Sequence, residues 1–418
     1  MEEHHKFLES LFRAEYGKII AVLTNRFGPS KIESIEDCVQ DALLKAMKIW
    51  GYKNVPDNPT AWLLRVAGNN LIDQFRRDKK MEYGKDDYIK EKGIHPQEIY
   101  LKSTITDSQL KMIFACCHPS LSAEYQIILS LKLIGGFGNS EIAQALIKKE
   151  EAVAKSYTRA KKQLKATVST LDIPLEMGLR SRLNIVLKVI YLMFSEGYAA
   201  SSGDIAIKKD ICLEAIRLAR LLEVNKYCDL PEVHALVALM CFHTSRFEAR
   251  TDINGELVDM EHQDRKKYDK NLINIGVRYL ERATTPPISP STYHLEAAVS
   301  YNHCRAKTFG ETDWKSILHL YDLQMQTQFS PIVQLNRVVP YYMVHGAEAG
   351  LKELRDYETS SYFIDSVLYY AIKAEILVRL EDNKGAKTAL ENAIGHTKNK
   401  VEKRHLLKKL RNNSSSII

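Results

Sequence analysis

Three short stretches carry side chains whose types and spacing can do recognition chemistry. In the first, Asp37, Asp41, Leu44 and Lys48 follow at steps of four, three and four, with Gln40 alongside. At helical periodicity these share one face, a polar row with a single apolar member. Such a row is either a solvated face with one exposed leucine or a docking surface for another protein. In the second, Trp62, Arg65, Asn69, Asp73 and Arg76 fall at steps of three, four, four and three, and Arg76-Arg77-Asp78-Lys79-Lys80 follows with four basic residues in five. A ring on which bases stack, beside cations that hold phosphates, suits a single-stranded nucleic acid. Equally, Trp62 fits a core position and the basic run a helix end favoured by the dipole. In the third stretch, Lys155, Ser156, Arg159 and Lys162 form the outer row of a helix whose inner residues are Val153, Tyr157, Ala160 and Leu164. Lys and Arg hydrogen-bond guanine edges or phosphates, and Ser takes either role.

Covalent chemistry has no comparable signal, and no enzymatic activity is expected. Cys116, Cys117 and His118 are adjacent, but sequence neighbours point in different directions and no second ligand pair stands at zinc-site spacing. They read as small buried residues, so neither a metal nor a cofactor is expected. Arg250, Asp252, Glu256, Asp259, Glu261 and Asp264 make a charge-rich stretch without a nucleophile–base pair, which reads as a structural ion-pair loop.

The three faces need helices to present them, and the sequence supplies helices almost throughout. Apolar residues at three- and four-residue spacing recur from Phe7 to Leu410, while period-two alternation is scarce, so the fold class is all-α. The first face lies on a helix from Ser34 to Trp50, whose Ile35, Val39, Ala42 and Ala46 turn inward. The second lies on a helix from Thr60, just after Pro59, to about Asp78, with Leu64, Ala67, Leu71 and Phe75 buried. For the third, a helix from Ser122 to Ile134 stops at Gly135-Gly136-Phe137-Gly138. A short helix from Asn139 to Leu146 and a longer one from Glu150 to Lys165 then follow. That order suits a helix-turn-helix laying its second helix in a DNA major groove, although a plain three-helix module has the same pattern.

Residues 81–105 have mixed charge, Gly84, Gly93 and Pro96 but no apolar stripe, and read as a tether. Pro174 marks a further boundary. The domains expected are therefore 1–80, a linker at 81–105, 106–170, and a long helical block at 171–418.

Composition narrows the function classes. The 418 residues are 45% hydrophobic and 27% charged, which excludes wholesale disorder, collagen and a disulfide scaffold. No run approaches the roughly 20 apolar residues that span a bilayer. The polar Met1-Glu-Glu-His-His-Lys opening lacks the apolar segment of a secretory signal. Seven cysteines without regular spacing make no disulfide framework, and a cytoplasmic protein is expected. Net charge is +7, and residues 1–170 hold 26 basic against 21 acidic side chains, a front-loaded excess that suits a polyanionic partner.

These residues resemble a bacterial extracytoplasmic-function (ECF) sigma factor, the promoter-specificity subunit of RNA polymerase. Ile35 to Trp50 is similar to the family's polymerase-binding helix, and Asn58 to Arg77 to its promoter-melting helix. Glu141-Ile-Ala, Val153 and Arg159-Ala-Lys161 are similar to the region-four helix-turn-helix. The resemblance covers residues 1–170. It implies that Asp37, Gln40, Asp41, Leu44 and Lys48 face the clamp helices of core RNA polymerase, and that the flap of the second-largest subunit is a further contact. It likewise implies that Trp62, Arg65, Asn69, Asp73, Arg76 and Arg77 engage the minus-ten element of promoter DNA, and that Lys155, Ser156, Arg159 and Lys162 read the minus-thirty-five element.

Two positions depart from the family pattern. Gly68 stands where a basic residue is common, which thins the expected minus-ten contacts. Gly138 replaces the usual Ser or Thr cap, so the reciprocal capping box with Glu141 is expected to be lost.

The block after residue 170 reads as about ten helices. Val189 to Tyr198, Arg250 to Gly255 and Gln263-Asp-Arg265 resemble the long C-terminal extension of one sigma subgroup. Tyr369 to Ala393 looks like a tetratricopeptide (TPR) repeat, with Ala371, Ala374 and Leu377 on one helix and Ala386, Ala389 and Ala393 on the next. Stacked hairpins of this kind leave a concave surface, which suits a regulatory protein partner. A signalling adaptor built on that block, with an ordinary DNA-binding helix-turn-helix, is the competing reading.

Overall fold

The computed structural model describes residues 2–50, 55–83, 102–146, 148–173, 176–199, 207–285, 289–327, 330–357 and 363–415, which hold nineteen α-helices and no strand. All-α is the fold class, as the periodicity requires. Most of the expected tether, 84–101, lies outside the described residues. Two compact units emerge: Met1–Met193 with Val224–Cys228, and Phe194–Glu223 with Asp229–Ile418. The first runs past the boundary expected at 170 and joins the two front blocks.

In the first unit α1 (Glu2–Phe27) is the shared strut. It packs on α2 (Ile32–Trp50), α3 (Pro59–Tyr83), α4 (Lys102–Cys116) and a π-helical turn (Ser130–Ile134) that continues α5 (Ala123–Leu129). Its Ile19, Ile20 and Leu23 are fully buried, as are Ile35 and Val39 of α2 and Leu63, Leu64 and Leu71 of α3. Each such burial contributes about 1.5–3 kcal/mol. Gly17 permits the closest approach, because a Cβ there would stand 2.0 Å from the Ile134 carbonyl oxygen. Then come α6 (Asn139–Ala145) and α7 (Glu150–Thr167). Ser122 caps α5, its Oγ accepting from the Tyr125 N–H at 3.3 Å.

The reciprocal capping box before α6 is lost, since Gly138 has no side chain to accept, but one of its two bonds remains. Glu141 Oε2 accepts from the Gly138 N–H at 2.7 Å, since that bond needs only the backbone of the capping residue. Next, α8 (Glu176–Tyr198) begins in this unit, where Arg182 donates to the Phe114 carbonyl.

The second unit continues through α9 (Lys209–Leu222) and α10 (Pro231–Thr244), the latter buried on every side from Val233 to Phe242. After the one-turn α11 (Phe247–Arg250) come α12 (Lys270–Ala283), α13 (Thr292–Arg305), α14 (Trp314–Thr327), α15 (Pro331–His345) and α16 (Ala347–Arg355). Then follow α17 (Val367–Arg379), α18 (Asn383–His396) and α19 (Lys400–Ser415). Twelve described helices thus stand where about ten are expected, the surplus being the short α11 and α16. The hairpin of α17 and α18 closes on small residues: Ala374, Ala386, Ala389 and Ala393 are buried together with Leu377, Leu390 and Leu406. No helix among the described residues is long and apolar enough to cross a membrane.

Candidate polymerase and promoter interface

On α2 the two sides of the helix behave differently. Asp37, Gln40, Asp41, Leu44 and Lys48 are all exposed, Leu44 to 56%, and the neighbouring Met47 to 38%. Among the described residues none of the four polar members forms a hydrogen bond or ion pair, so the row is brought together with its chemistry free. The nearby Cys38 thiol is pushed up to about 11, by burial and then by the charges of Asp41 and Asp37.

The inward side holds a residue that the sequence reading missed. Glu36 is 5% exposed, and its Oε1 accepts from Tyr16 at 3.2 Å and Tyr157 at 2.5 Å, while Oε2 pairs with Lys161 at 2.7 Å. Lys165 adds a pair to Glu33 at 2.6 Å. Tyr157, Lys161 and Lys165 recur at steps of four and dock one face of α7 onto α2. Burial, reinforced by the Glu36 charge, raises both tyrosine hydroxyls well above their ordinary value. The available signal was a carboxylate on the apolar stripe, one turn from both Ile32 and Val39.

On α3, Arg65, Asn69, Asp73, Arg76 and Arg77 are exposed. Arg65 and Asn69 have no partner among the described residues, whereas Asp73 takes Arg76 at 3.4 Å and its carbonyl accepts from Arg77 Nε at 3.3 Å. Trp62 is half-buried, with its ring 5.2 Å from that of the buried Trp50, so part of the indole belongs to the core. The helix runs on to Tyr83, which places the basic run within it rather than at its end. Gly68 is buried.

On α7, Lys155, Arg159 and Lys162 are exposed and unpaired among the described residues, opposite the buried Val153, Tyr157, Ala160 and Leu164. Ser156 differs: half-buried, its Oγ donates to Glu124 Oε1 at 3.0 Å, an oxygen that also pairs with Lys148. Cys116 and Cys117 are buried, and burial pushes the Cys117 thiol up to about 12, as suits packing residues.

Residues 11–81, which include both α2 and α3, match the family Sigma-70 region 2. The chain is 32% identical over 387 residues to an uncharacterized protein of Rhizobium meliloti (strain 1021), spanning 89% of this chain and 88% of that one. The chain belongs to the sigma-70 family. As a sigma-70 protein it is a transcription initiation factor, which binds core RNA polymerase and promoter DNA. Residues 182–284 match a family of unknown function, DUF6596, so this sigma factor carries a long C-terminal extension. No solved structure matches the chain.

Two of the extension's three resembling segments, those holding Tyr198 and Arg250, meet within that match, and the third, at Gln263, bonds within its own loop. Arg250 lies 3.7 Å over the Tyr198 ring and donates to the Tyr198 carbonyl, Arg246 donates to the Tyr198 hydroxyl, and Gln263 Oε1 accepts from Tyr268 at 3.0 Å. The charge-rich loop is an ion-pair loop, with Glu256 paired to Arg404 and Glu261 to Arg379. Glu223, Asp229 and His234 converge within 4.8 Å, and the Arg282 guanidinium reaches all three.

Proposed function

We propose that this sigma-70 protein is of the ECF type, with a region-two module at 1–80, a linker at 81–105, a region-four helix-turn-helix at 106–170 and a TPR-like regulatory extension at 171–418. Asp37, Gln40, Asp41, Leu44 and Lys48 dock on the clamp helices of core polymerase, and the flap of the second-largest subunit receives region four. Trp62, Arg65, Asn69, Asp73, Arg76 and Arg77 engage and help melt the minus-ten element. Lys155, Arg159 and Lys162 read the minus-thirty-five element, with Ser156 contributing once its bond to Glu124 yields. The protein itself catalyses no covalent step and acts in the cytoplasm.

The observation that carries this reading is the exposed, unpaired row on α2 inside the sigma region-two match. An apolar side chain presented among free carboxylates is what a specific protein contact needs, with Leu44 for burial and the charges for register. The extension regulates the sigma module, in cis or through a bound protein; its covalent fusion to the DNA-binding unit supports this.

The deciding experiment mixes the full chain with purified core polymerase and genomic DNA fragments, then maps transcript starts. Initiation at sites that share upstream motifs is expected. Core enzyme that neither retains the chain nor gains new start sites would refute the proposal.

A further inference from the structure

The loop around residues 256–261 is held from far along the chain. Arg404 pairs with Glu256 at 2.8 Å, His405 and Lys409 reach Asp259 Oδ1 at 3.0 and 2.9 Å, and Arg379 pairs with Glu261 at 3.0 Å. These bonds fasten α19 and the end of α17 to the loop. Between loop and helices lies a cavity of about 650 Å³, entirely within the second unit. Sites for small organic molecules usually span roughly 300–1,000 Å³.

Its walls define what fits. His303, Phe309, Trp314 and Tyr321 line it, and the His303 and Phe309 rings stand edge-on to Trp314 at 5.4 and 5.0 Å between centroids. Aromatic edges and faces at this spacing favour a flat guest. The carboxylates on the wall are already matched: Asp259 and Glu261 as above, and Glu375 with Arg379 at 3.5 Å. Among the described lining residues the one lysine, Lys409, is spent on Asp259, so an anionic guest would face Asp259, Glu261 and Glu375 with no free ammonium or guanidinium on the wall to receive it. Among the described residues, polar groups on the wall without a protein partner include the Asn336 carboxamide, Nδ1 of His303 and the indole N–H of Trp314, a residue only 9% exposed. Unmatched groups of this kind gain from a guest that carries its own acceptor or donor.

We propose that this cavity is a binding site for an uncharged, planar, amphipathic small molecule, held between the aromatic wall and the ion-pair clasp. The site gives the extension an effector-binding role, and it stands independently of how the front unit meets the promoter.

The test uses two probes that differ by one charged group. The full chain is titrated with N-phenyl-1-naphthylamine and, separately, with its sulfonated relative 1-anilinonaphthalene-8-sulfonate. Saturable fluorescence at one equivalent is expected for the uncharged probe, with affinity for the sulfonate at least about tenfold weaker. Ala371→Trp fills the cavity from α17 and should weaken the uncharged probe by a similar factor; Val378→Trp does so from a more exposed position. Absence of saturable binding, equal affinity for both probes, or undiminished binding in a filled variant with unchanged circular dichroism would overturn the proposal.

Discussion

Leu44 is exposed on a helix whose Ile35 and Val39 have no accessible surface, so its placement is a matter of facing rather than of a loose core. Asp41, three positions before it, has no hydrogen-bond or ion-pair partner among the described residues. The double substitution Asp41→Arg, Leu44→Ala is therefore expected to abolish co-purification with core polymerase while leaving the melting temperature unchanged; retained capture would remove the docking assignment. Arg159 poses the equivalent question for DNA. Its guanidinium has no partner among the described residues, so Arg159→Ala should weaken promoter binding by roughly 1–3 kcal/mol if it reads a base. Electrophoretic mobility shifts on a mapped promoter check this, and unaltered affinity would discard the role. Lys161, two positions on, should not be grouped with Arg159, because it is committed to Glu36.

Helices α2 and α7 each carry one outward row and one inward row, and a single buried carboxylate joins the inward pair. Removing Glu36 would leave two hydroxyls and an ammonium group without their acceptor, and breaking a buried pair from one side typically costs about 3–5 kcal/mol. Glu36→Ala is thus expected to lower the urea midpoint of the full chain strongly, and Glu36→Gln less so, since its amide oxygen still accepts one bond. Equal stability of Glu36→Ala and wild type would show that the joint contributes nothing. The apolar stripe made both helices legible from spacing alone. Their joint was not, because Glu36 meets Tyr157 and Lys161 across more than 120 residues, and no periodic pattern encodes which two faces will meet.

Across the second unit, partly buried histidines link stability to pH. Burial, and then the charges of Arg246 and Arg265, bring His303 from its ordinary 6.5 down to about 3; burial with Arg246 and Arg250 lowers His243 well below that ordinary value. The folded values are depressed, so the unfolded chain takes up protons first, and stability that is full above about pH 6.5 falls as pH drops toward the folded value. At pH 5 the loss from His303 alone is about 2 kcal/mol. Urea unfolding at pH 7 and pH 5 should show it, and His303→Phe should reduce the pH slope by about one proton; an identical slope would refute the assignment. Asp259 does not confuse this window. Burial alone would raise its pKa, but His405 and Lys409 outweigh that and hold its carboxyl well below the usual range.

What the sequence determined by itself was local: the helices, the face each apolar stripe buries, the outward rows on α2, α3 and α7, and the ion-pair character of the loop near Asp259. Helical periodicity is short-range information carried within a few turns. Only the tertiary structure decided that Trp62 leans on Trp50, that Ser156 is bonded to Glu124, that α1 braces both front blocks, and that a cavity opens where the loop at Asp259 meets α19. Each of these depends on which buried faces pair after long loops close, a choice made by packing and desolvation between residues far apart in the chain.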